Sequence, residues 1–212
     1  KIRAYFEAPS PEKLEEMARE QIGLLKEEIR RRKEIQKGFQ EILEETEEGR
    51  TALKGQVMIQ KLPAKRFIYS KADPGGEGIQ IHKWWEAYDD FIRERNLKGL
   101  VSIGSLIAKE RLLRGQFDRV ERLFIPGGAR GTLREGGEYA VFYFQGAYEK
   151  IQDAYRALLE GIQRQGFEPD GDAYEEYLIS ELATEDETRF VTRLTVKVRP
   201  AFLSSAIGCF AL

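Results

Sequence analysis

The sequence has few of the residues that form disulfides and metal centres. It contains one cysteine, Cys209, and one histidine, His82, among 212 residues. A lone cysteine cannot form a disulfide within the chain, and a lone histidine cannot anchor a site built from several histidines. We therefore expect no metal ion and no other cofactor.

A charge excess and long apolar runs are also missing. The 34 basic and 36 acidic side chains give a net charge of −2 at pH 7, which argues against a strongly basic nucleic-acid surface in this chain. No run is long and apolar enough to cross a bilayer, and no signal-peptide pattern opens the chain. We expect a cytoplasmic protein without membrane contact. Because the chain begins at Lys1 rather than at methionine, we also expect it to be a fragment.

A long charged helix is predicted near the N-terminus. Ser10, Pro11 and Glu12 are a typical helix start, since serine caps free N–H groups, proline fits the first turn and glutamate suits the positive end. A second copy of the chain is expected to pair with this helix, because one small domain covers a long, narrow seam poorly. The alternative is an amphipathic helix that lies along its own domain. The seam recurs every four and three residues, with two polar members, at Ala18, Ile22, Leu25, Ile29, Arg32, Gln36, Phe39 and Leu43.

The pattern strand, helix, strand, strand then occurs twice, which indicates an internal duplication. The predicted fold is α+β: a long N-terminal coiled-coil helix followed by a duplicated β-α-β-β antiparallel-sheet domain. The domain boundaries are expected at 1–48 for the end of a preceding domain and the linker helix, at 55–200 for the sheet domain, and at 201–212 for an apolar tail without an assigned role. The predicted strands lie at 57–69 with Pro63 at a bulge or edge, 100–107, 117–126, 138–145, 174–179 and 189–197, and the helices start near Ile81 and Tyr148.

The glycine-rich segment 73–78 suggests a phosphate-binding loop only superficially. It lacks the lysine and the serine or threonine that such a loop requires. We interpret it as a flexible turn.

Four segments of the second copy, in order YAVFYFQG, YEKIQDAYRALLEGI, GFEPDG and YEEYL, resemble the second half of the GyrI-like small-molecule-binding domain. The resemblance extends to Val198. It implies a pair of β-α-β-β units that pack side by side, with a ligand pocket between them.

The N-terminal segment KIRAYFEAPSPEKLEEMAREQIGLLKEEIRRRKEIQ resembles the region that follows the winged-helix DNA-binding domain of MerR-type transcription regulators. A MerR-like linker helix followed by a GyrI-like domain is the architecture of the multidrug-sensing branch of that family. The resemblance implies a homodimer through the linker helix and contact with DNA only through a domain absent from this chain. The residues that fit the motif are Ile2, Tyr5, Ser10, Pro11, Glu12, Leu14, Gln21, Leu25 and Ile29.

Glu175 is the main candidate for ligand binding. Two-residue spacing on a strand places it on the same face as Tyr177. The resemblance implies that Glu175 faces the pocket. A carboxylate in surroundings of low polarity is costly alone, and this cost falls when a cationic ligand binds. The alternatives are that Glu176 points inward instead, and that the tryptophans belong to the core. The resemblance and the pseudo-symmetry suggest further aromatic faces for cation–π contact at Tyr143, Tyr69, Trp85 and Tyr88.

These observations favour a sensor: the effector-binding and dimerisation region of a MerR-type regulator for small lipophilic, cationic or aromatic compounds. Some stand-alone GyrI-like proteins are hydrolases of electrophilic aromatic compounds, so the alternative uses Glu175 with Tyr177 or Tyr143 as general acid and base. A dimerising helix argues against an enzyme. A protein-binding module is a third class, and a haem site based on His82 is disfavoured.

Overall fold

The structure is a computed structural model that describes residues 10–72, 79–80, 83–95, 102–128 and 131–201. No helix among these residues combines the length and the apolar character that a membrane span requires. Several predictions lie outside the described residues: those for segment 1–9, the glycine loop 73–78, Ile81, His82 and the tail beyond Ala201.

Helix α1 spans Pro11–Thr51. Its predicted start is confirmed, because the Ser10 hydroxyl oxygen accepts a hydrogen bond of 3.3 Å from the Lys13 N–H. The helix up to Glu41 forms one compact unit, whereas residues from Ile42 onward form a second unit with the sheet. The apolar seam of the first unit is exposed at Ile22, Leu25, Ile29 and Phe39.

The second unit is built on an eight-stranded antiparallel sheet. The elements of this unit are β1 Val57–Leu62, β2 Lys65–Tyr69, β3 Ile79–Gln80, α2 Trp84–Glu94, β4 Gly104–Ile107, α3 Lys109–Leu113, β5 Arg119–Val120, β6 Arg122–Pro126, β7 Thr132–Arg134, β8 Gly137–Gln145, α4 Ile151–Arg164, β9 Phe167–Ile179 and β10 Val191–Pro200. The strand order of the sheet is β1-β8-β10-β9-β4-β6-β2-β7, and β3 pairs with β5 in a small separate ladder. The predicted duplication is confirmed: β2-α2-β4-β6 and β8-α4-β9-β10 are the two copies, and β9 pairs with β4 at the joint.

Three local predictions differ from the structure. The extended run at 57–69 is two strands on either side of Pro63: β1 pairs with β8, and β2 lies between β6 and β7. The polar segment 44–55 has the composition of a linker, but helix α1 continues through most of it, to Thr51. Strand β9 begins at Phe167, seven residues before the start of the predicted strand 174–179, and it therefore includes Pro169 and Gly171.

The sheet buries both of its faces. On the helix face, defined as the face covered by α2 and α4, Tyr155 and Leu158 pack with Phe142 and Leu194. A fully buried side chain of this size stabilises the fold by roughly 1.5–3 kcal/mol. On the opposite face the last turn of α1 packs so closely that a Cβ atom at Gly49 would lie 3.0 Å from Ile179 Cγ1. The end of α1 is therefore part of the sheet domain.

Gly104 fixes the spacing at the joint between the two copies. A Cβ atom there would collide with the ring of Phe124 and with the backbone oxygen of Glu175. Strands β4 and β9 therefore approach each other in a way that only glycine allows at this position.

Candidate ligand-binding cavity

A cavity of about 160 Å³ lies on the helix face, above the joint between β4 and β9. Helix α2 and the turn that leads into α4 supply aromatic walls, and the turn that follows β9 supplies the rim. The described residues that line the cavity are Trp84, Trp85, Tyr88, Ser102, Ile103, Tyr148, Ile151, Glu175, Tyr177, Ser180, Glu181 and Leu182.

Glu175 is the buried acid of this cavity. Strand alternation turns it to the helix face together with Ser105, its register partner on β4. Its side chain is held by two phenols: Tyr155 donates a hydrogen bond of 2.7 Å to Oε1, and Tyr177 donates one of 2.8 Å to Oε2. Only 4% of Glu175 is exposed to solvent. The orientation of this carboxylate is therefore fixed before any ligand arrives.

A chain of hydrogen bonds connects Tyr177 to Trp84 through Ser105. The indole N–H of Trp84 donates to Ser105 Oγ at 2.7 Å, and Ser105 Oγ lies 2.8 Å from the Tyr177 hydroxyl. Because Tyr177 donates its own proton to Glu175, Ser105 must donate to Tyr177 and accept from Trp84. The proton direction is thus determined along the whole chain from α2 to the carboxylate.

Within the described part of the chain, the carboxylate of Glu175 has no compensating positive charge. Burial raises the pKa of Glu175, and the hydrogen bonds from Tyr155 and Tyr177 offset only part of this rise. Among the described residues, no lysine or arginine forms an ion pair with Glu175, and none lines the cavity. The cavity therefore combines an uncompensated acid with aromatic surface.

The aromatic wall is a packed group of rings. Trp84 stacks on Tyr88 with 5.3 Å between ring centroids and meets Tyr177 edge-on at 5.9 Å. Trp85 contacts both Trp84 and Tyr88 edge-on and is 55% exposed. Trp84 also packs against the core below α2. Both tryptophans line the cavity, but only Trp85 is largely exposed.

The structure brings four of the six predicted ligand-binding residues to this cavity: Glu175, Tyr177, Trp85 and Tyr88. Glu176 points to the opposite face, as the alternation requires. Whether any of these residues binds a ligand stays a prediction.

The other two predicted residues lie on the opposite face of the sheet. On β8 the side chains of Ala140 and Phe142 belong to the helix-face core, so Tyr143 must point away from the cavity. On β2 the same alternation turns Ile68 to the helix face, and Tyr69 lies opposite with its hydroxyl 3.4 Å from that of Tyr174. Neither tyrosine is positioned to contact a ligand in the cavity.

The residues at the site that were not predicted from the sequence include Tyr155, Ser105, Tyr148 and Glu181. Tyr155 follows the helical spacing of the apolar residues of α4, which gives no sign that its hydroxyl reaches Glu175. Ser105 carried a usable signal, because it is the one hydroxyl in the apolar strand GSLI. Tyr148 and Glu181 carried none, since they lie in the turns before α4 and after β9, where no period fixes the direction of a side chain.

The face opposite the cavity holds a buried ion network at Glu176. Arg193 Nη2 lies 2.8 Å from Glu176 Oε2, and Lys65 Nζ lies 3.2 Å from Oε1. Arg193 also reaches the end of α1, where its Nη1 is 2.6 Å from Glu48 Oε2. Tyr143 donates to Glu48, and burial together with this carboxylate raises the pKa of Tyr143 to about 12. Burial alone would raise the pKa of Glu176, but the charges of Arg193 and Lys65 lower it overall.

The described residues contain no group of three or more histidine, cysteine, aspartate or glutamate side chains arranged to hold a metal ion. The chemistry of the cavity therefore rests on its carboxylates, phenols and aromatic rings.

Comparisons with known proteins agree with this architecture. Residues 126–199, which run from the end of β6 almost to the end of β10, match the family model of the GyrI-like small molecule binding domain. The multidrug-efflux transporter 2 regulator of Bacillus subtilis (strain 168) is 23% identical over 206 residues, which cover 93% of this chain and 74% of that protein.

Two solved structures share the fold. EcmrR in its complex with DNA has a TM-score of 0.54 and 15% identity, over 94% of this chain and 76% of that one. The isolated C-terminal domain of EcmrR has a TM-score of 0.53 and 12% identity, over 69% of this chain and 98% of that one. At these identities the likeness is one of fold. Residues 126–199 are therefore similar to the GyrI-like domain, and the described chain has the α+β fold of such a domain after a long helix.

Proposed function

We propose that this chain is the effector-binding and dimerisation region of a MerR-type transcription regulator that senses small lipophilic, cationic aromatic compounds. The GyrI-like match, the similarity to a regulator of a multidrug-efflux transporter and the fold shared with EcmrR support this assignment. Contact with DNA requires a domain outside this chain.

The observation that carries the ligand chemistry is the uncompensated Glu175 in an aromatic cavity. A buried carboxylate without a cation is costly, so a ligand that brings a positive charge recovers part of that cost. The faces of Trp85 and Tyr88 add cation–π attraction of roughly 0.5–2 kcal/mol each. A neutral compound of the same shape gains only the apolar contact.

Dimerisation rests on the exposed seam of α1. Apolar side chains at coiled-coil spacing remain uncovered in the single chain, and a second copy offers the matching surface.

The end of α1 is connected to the cavity through side-chain contacts. Glu48 is ion-paired through Arg193 to Glu176, the residue next to Glu175 on β9. One turn earlier, Glu45 lies near Ser102, which lines the cavity, and burial raises the pKa of Glu45. A ligand that displaces β9 or Ser102 therefore alters two contacts of the end of α1. A conformational response requires such contacts, which differ between the free and the bound state.

The test uses 4-phenyl-1-methylpyridinium, a flat permanent cation, with its neutral parent 4-phenylpyridine at about pH 8 as the uncharged control. Isothermal titration should show the cation binding to the wild type and weakening at least about tenfold in Glu175→Gln, because the buried charge partner is lost. The matched control Glu176→Gln removes the same charge on the opposite face and should change affinity by less than about twofold. Equal loss in both variants, or equal binding of the neutral compound, would contradict the proposal.

The hydrolase hypothesis has one observation in its favour, which is the hydrogen bond from Tyr177 to Glu175 in one cavity. An acid and a phenol in contact can share general acid–base work. Hydrolysis of an aryl epoxide by this chain, lost in Glu175→Gln, would support an enzyme in place of a sensor. Tyr143 has no place in that chemistry because it points to the opposite face.

A further inference from the structure

A second carboxylate, Glu181, lies at the rim of the cavity. It belongs to the turn that follows β9, in which the N–H groups of Ala183 and Thr184 both bond to the Ser180 carbonyl oxygen. Tyr148 donates a hydrogen bond of 2.9 Å to Glu181 Oε2. Glu181 is exposed to solvent, whereas Glu175 is buried at the floor.

The charge of Glu181 acts on both aromatic walls. Burial first, and then the negative charge of Glu181, raises the pKa of Tyr148 in the turn that leads into α4. On α2, burial followed by the charges of Asp89 and Glu181 raises the pKa of Tyr88. Glu181 therefore lies close to both walls of the cavity.

Neither carboxylate of the cavity is neutralised within the described part of the chain. No described lysine or arginine forms an ion pair with Glu181, and the only hydrogen-bond donor recorded for its carboxylate is the neutral phenol of Tyr148. Among the described residues, the other charges that act on Tyr88 and Tyr148 include those of the acids Asp89, Glu175 and Glu187.

Aromatic rings separate the two acids. Tyr177 contacts Glu175 through its hydroxyl, and its ring lies 5.4 Å from the ring of Tyr148, which in turn contacts Glu181. A flat ligand placed along these rings has one end at a buried negative charge and the other end at an exposed one.

We propose that this cavity prefers rigid aromatic dications, with one positive charge held at Glu175 and the second at Glu181. The inference rests on the proposed cation sensor and specifies its ligand class. Glu181 then acts as a specificity-determining residue: it adds affinity for the second charge and leaves the binding of a single charge nearly unchanged.

The test compares two probes of the same biaryl shape. The monocation is 4-phenyl-1-methylpyridinium, and the dication is 1,1′-dimethyl-4,4′-bipyridinium, which places a second positive ring nitrogen at the opposite end. Dissociation constants are measured at low ionic strength for the wild type, Glu181→Gln and the control Glu185→Gln. Glu185 is an exposed acid that does not line the cavity, so its substitution changes the net charge equally.

The wild type should bind the dication about two- to fivefold more tightly than the monocation, the range expected for an exposed ion pair. Glu181→Gln should abolish this preference while Glu185→Gln retains it, and added salt should reduce it in the wild type. An equal loss for both probes in Glu181→Gln would overturn the dication preference and leave the cation sensor standing, as would equal wild-type affinities. If neither probe binds, the cation sensor itself is wrong, and the preference falls with it.

Discussion

Two adjacent residues of β9, Glu175 and Glu176, show how one strand places like groups in opposite electrostatic surroundings. Both are almost fully buried, at 4% and 6% exposure. Glu176 is neutralised by Arg193 and Lys65, and its pKa is lowered in spite of burial, whereas Glu175 receives only phenolic hydrogen bonds and its pKa is raised. Burial alone therefore does not distinguish a candidate ligand-binding acid from a structural one. The two glutamates differ in whether a basic side chain of the described residues neutralises the carboxylate.

The largest difference is expected in stability. Glu176→Gln should lower the free energy of unfolding by about 3 kcal/mol, because Arg193 keeps a buried charge after losing one of its partners. Glu175→Gln should change it by less than about 1 kcal/mol at neutral pH, since the costly charge is removed and the glutamine oxygen can still accept one phenolic proton. Urea unfolding followed by circular dichroism measures both. Similar losses in the two variants would mean that the two faces are electrostatically alike.

The pH dependence should distinguish the two acids by sign. Between the ordinary pKa of glutamate and the raised pKa of Glu175, the folded state holds more protons than the unfolded state, so the contribution of Glu175 to stability falls as pH rises. Glu176 behaves oppositely: its contribution is present above the ordinary pKa and is lost as pH falls through its lowered pKa.

Unfolding free energies measured across the acid range should therefore show two opposite changes of slope. Glu175→Gln should remove a decrease with rising pH, and Glu176→Gln should remove an increase, each worth about 1.4 kcal/mol per unit of pKa shift. Slopes of the same sign in the two variants would refute the assignment.

The smallest effect is expected from Lys65→Met. The Lys65 side chain is 41% exposed and its nitrogen lies 3.2 Å from Glu176, so its ion pair should contribute less than about 1 kcal/mol. Arg193, with 19% of its side chain exposed, carries most of the compensation. A loss in Lys65→Met as large as that in Glu176→Gln would show that the exposed lysine dominates instead.

Local patterns in the sequence predicted much of the fold. The alternation of β8 and the apolar stripe of α4 depend on neighbours within a few residues, so the duplicated β-α-β-β order could be inferred without coordinates. The end of α1 could not, because the segment EETEEGR is polar and its helix is held by Arg193, a residue far along the chain. Pro63 was equally ambiguous, since a bulge and a break between two strands have the same local signature.

The residues of the candidate site show the same distinction between local and long-range information. The pairing of Glu175 with Tyr177 follows from two-residue spacing on one strand, and the structure places both in the cavity. Tyr143 and Tyr69 lie on other strands, where the face shared with Glu175 depends on register and on the strand order of the sheet. No local period carries that information, and resemblance at low identity did not supply it.

The joint between β4 and β9 limits how the cavity accommodates ligands of different width. These two strands are paired in an antiparallel ladder beneath the cavity, so widening the gap between them would break the sheet. Widening would instead involve the exposed lining residues Trp85 and Leu182, which are 55% and 74% exposed. Substitution of these two residues would therefore change the range of compounds that fit the cavity without altering Glu175.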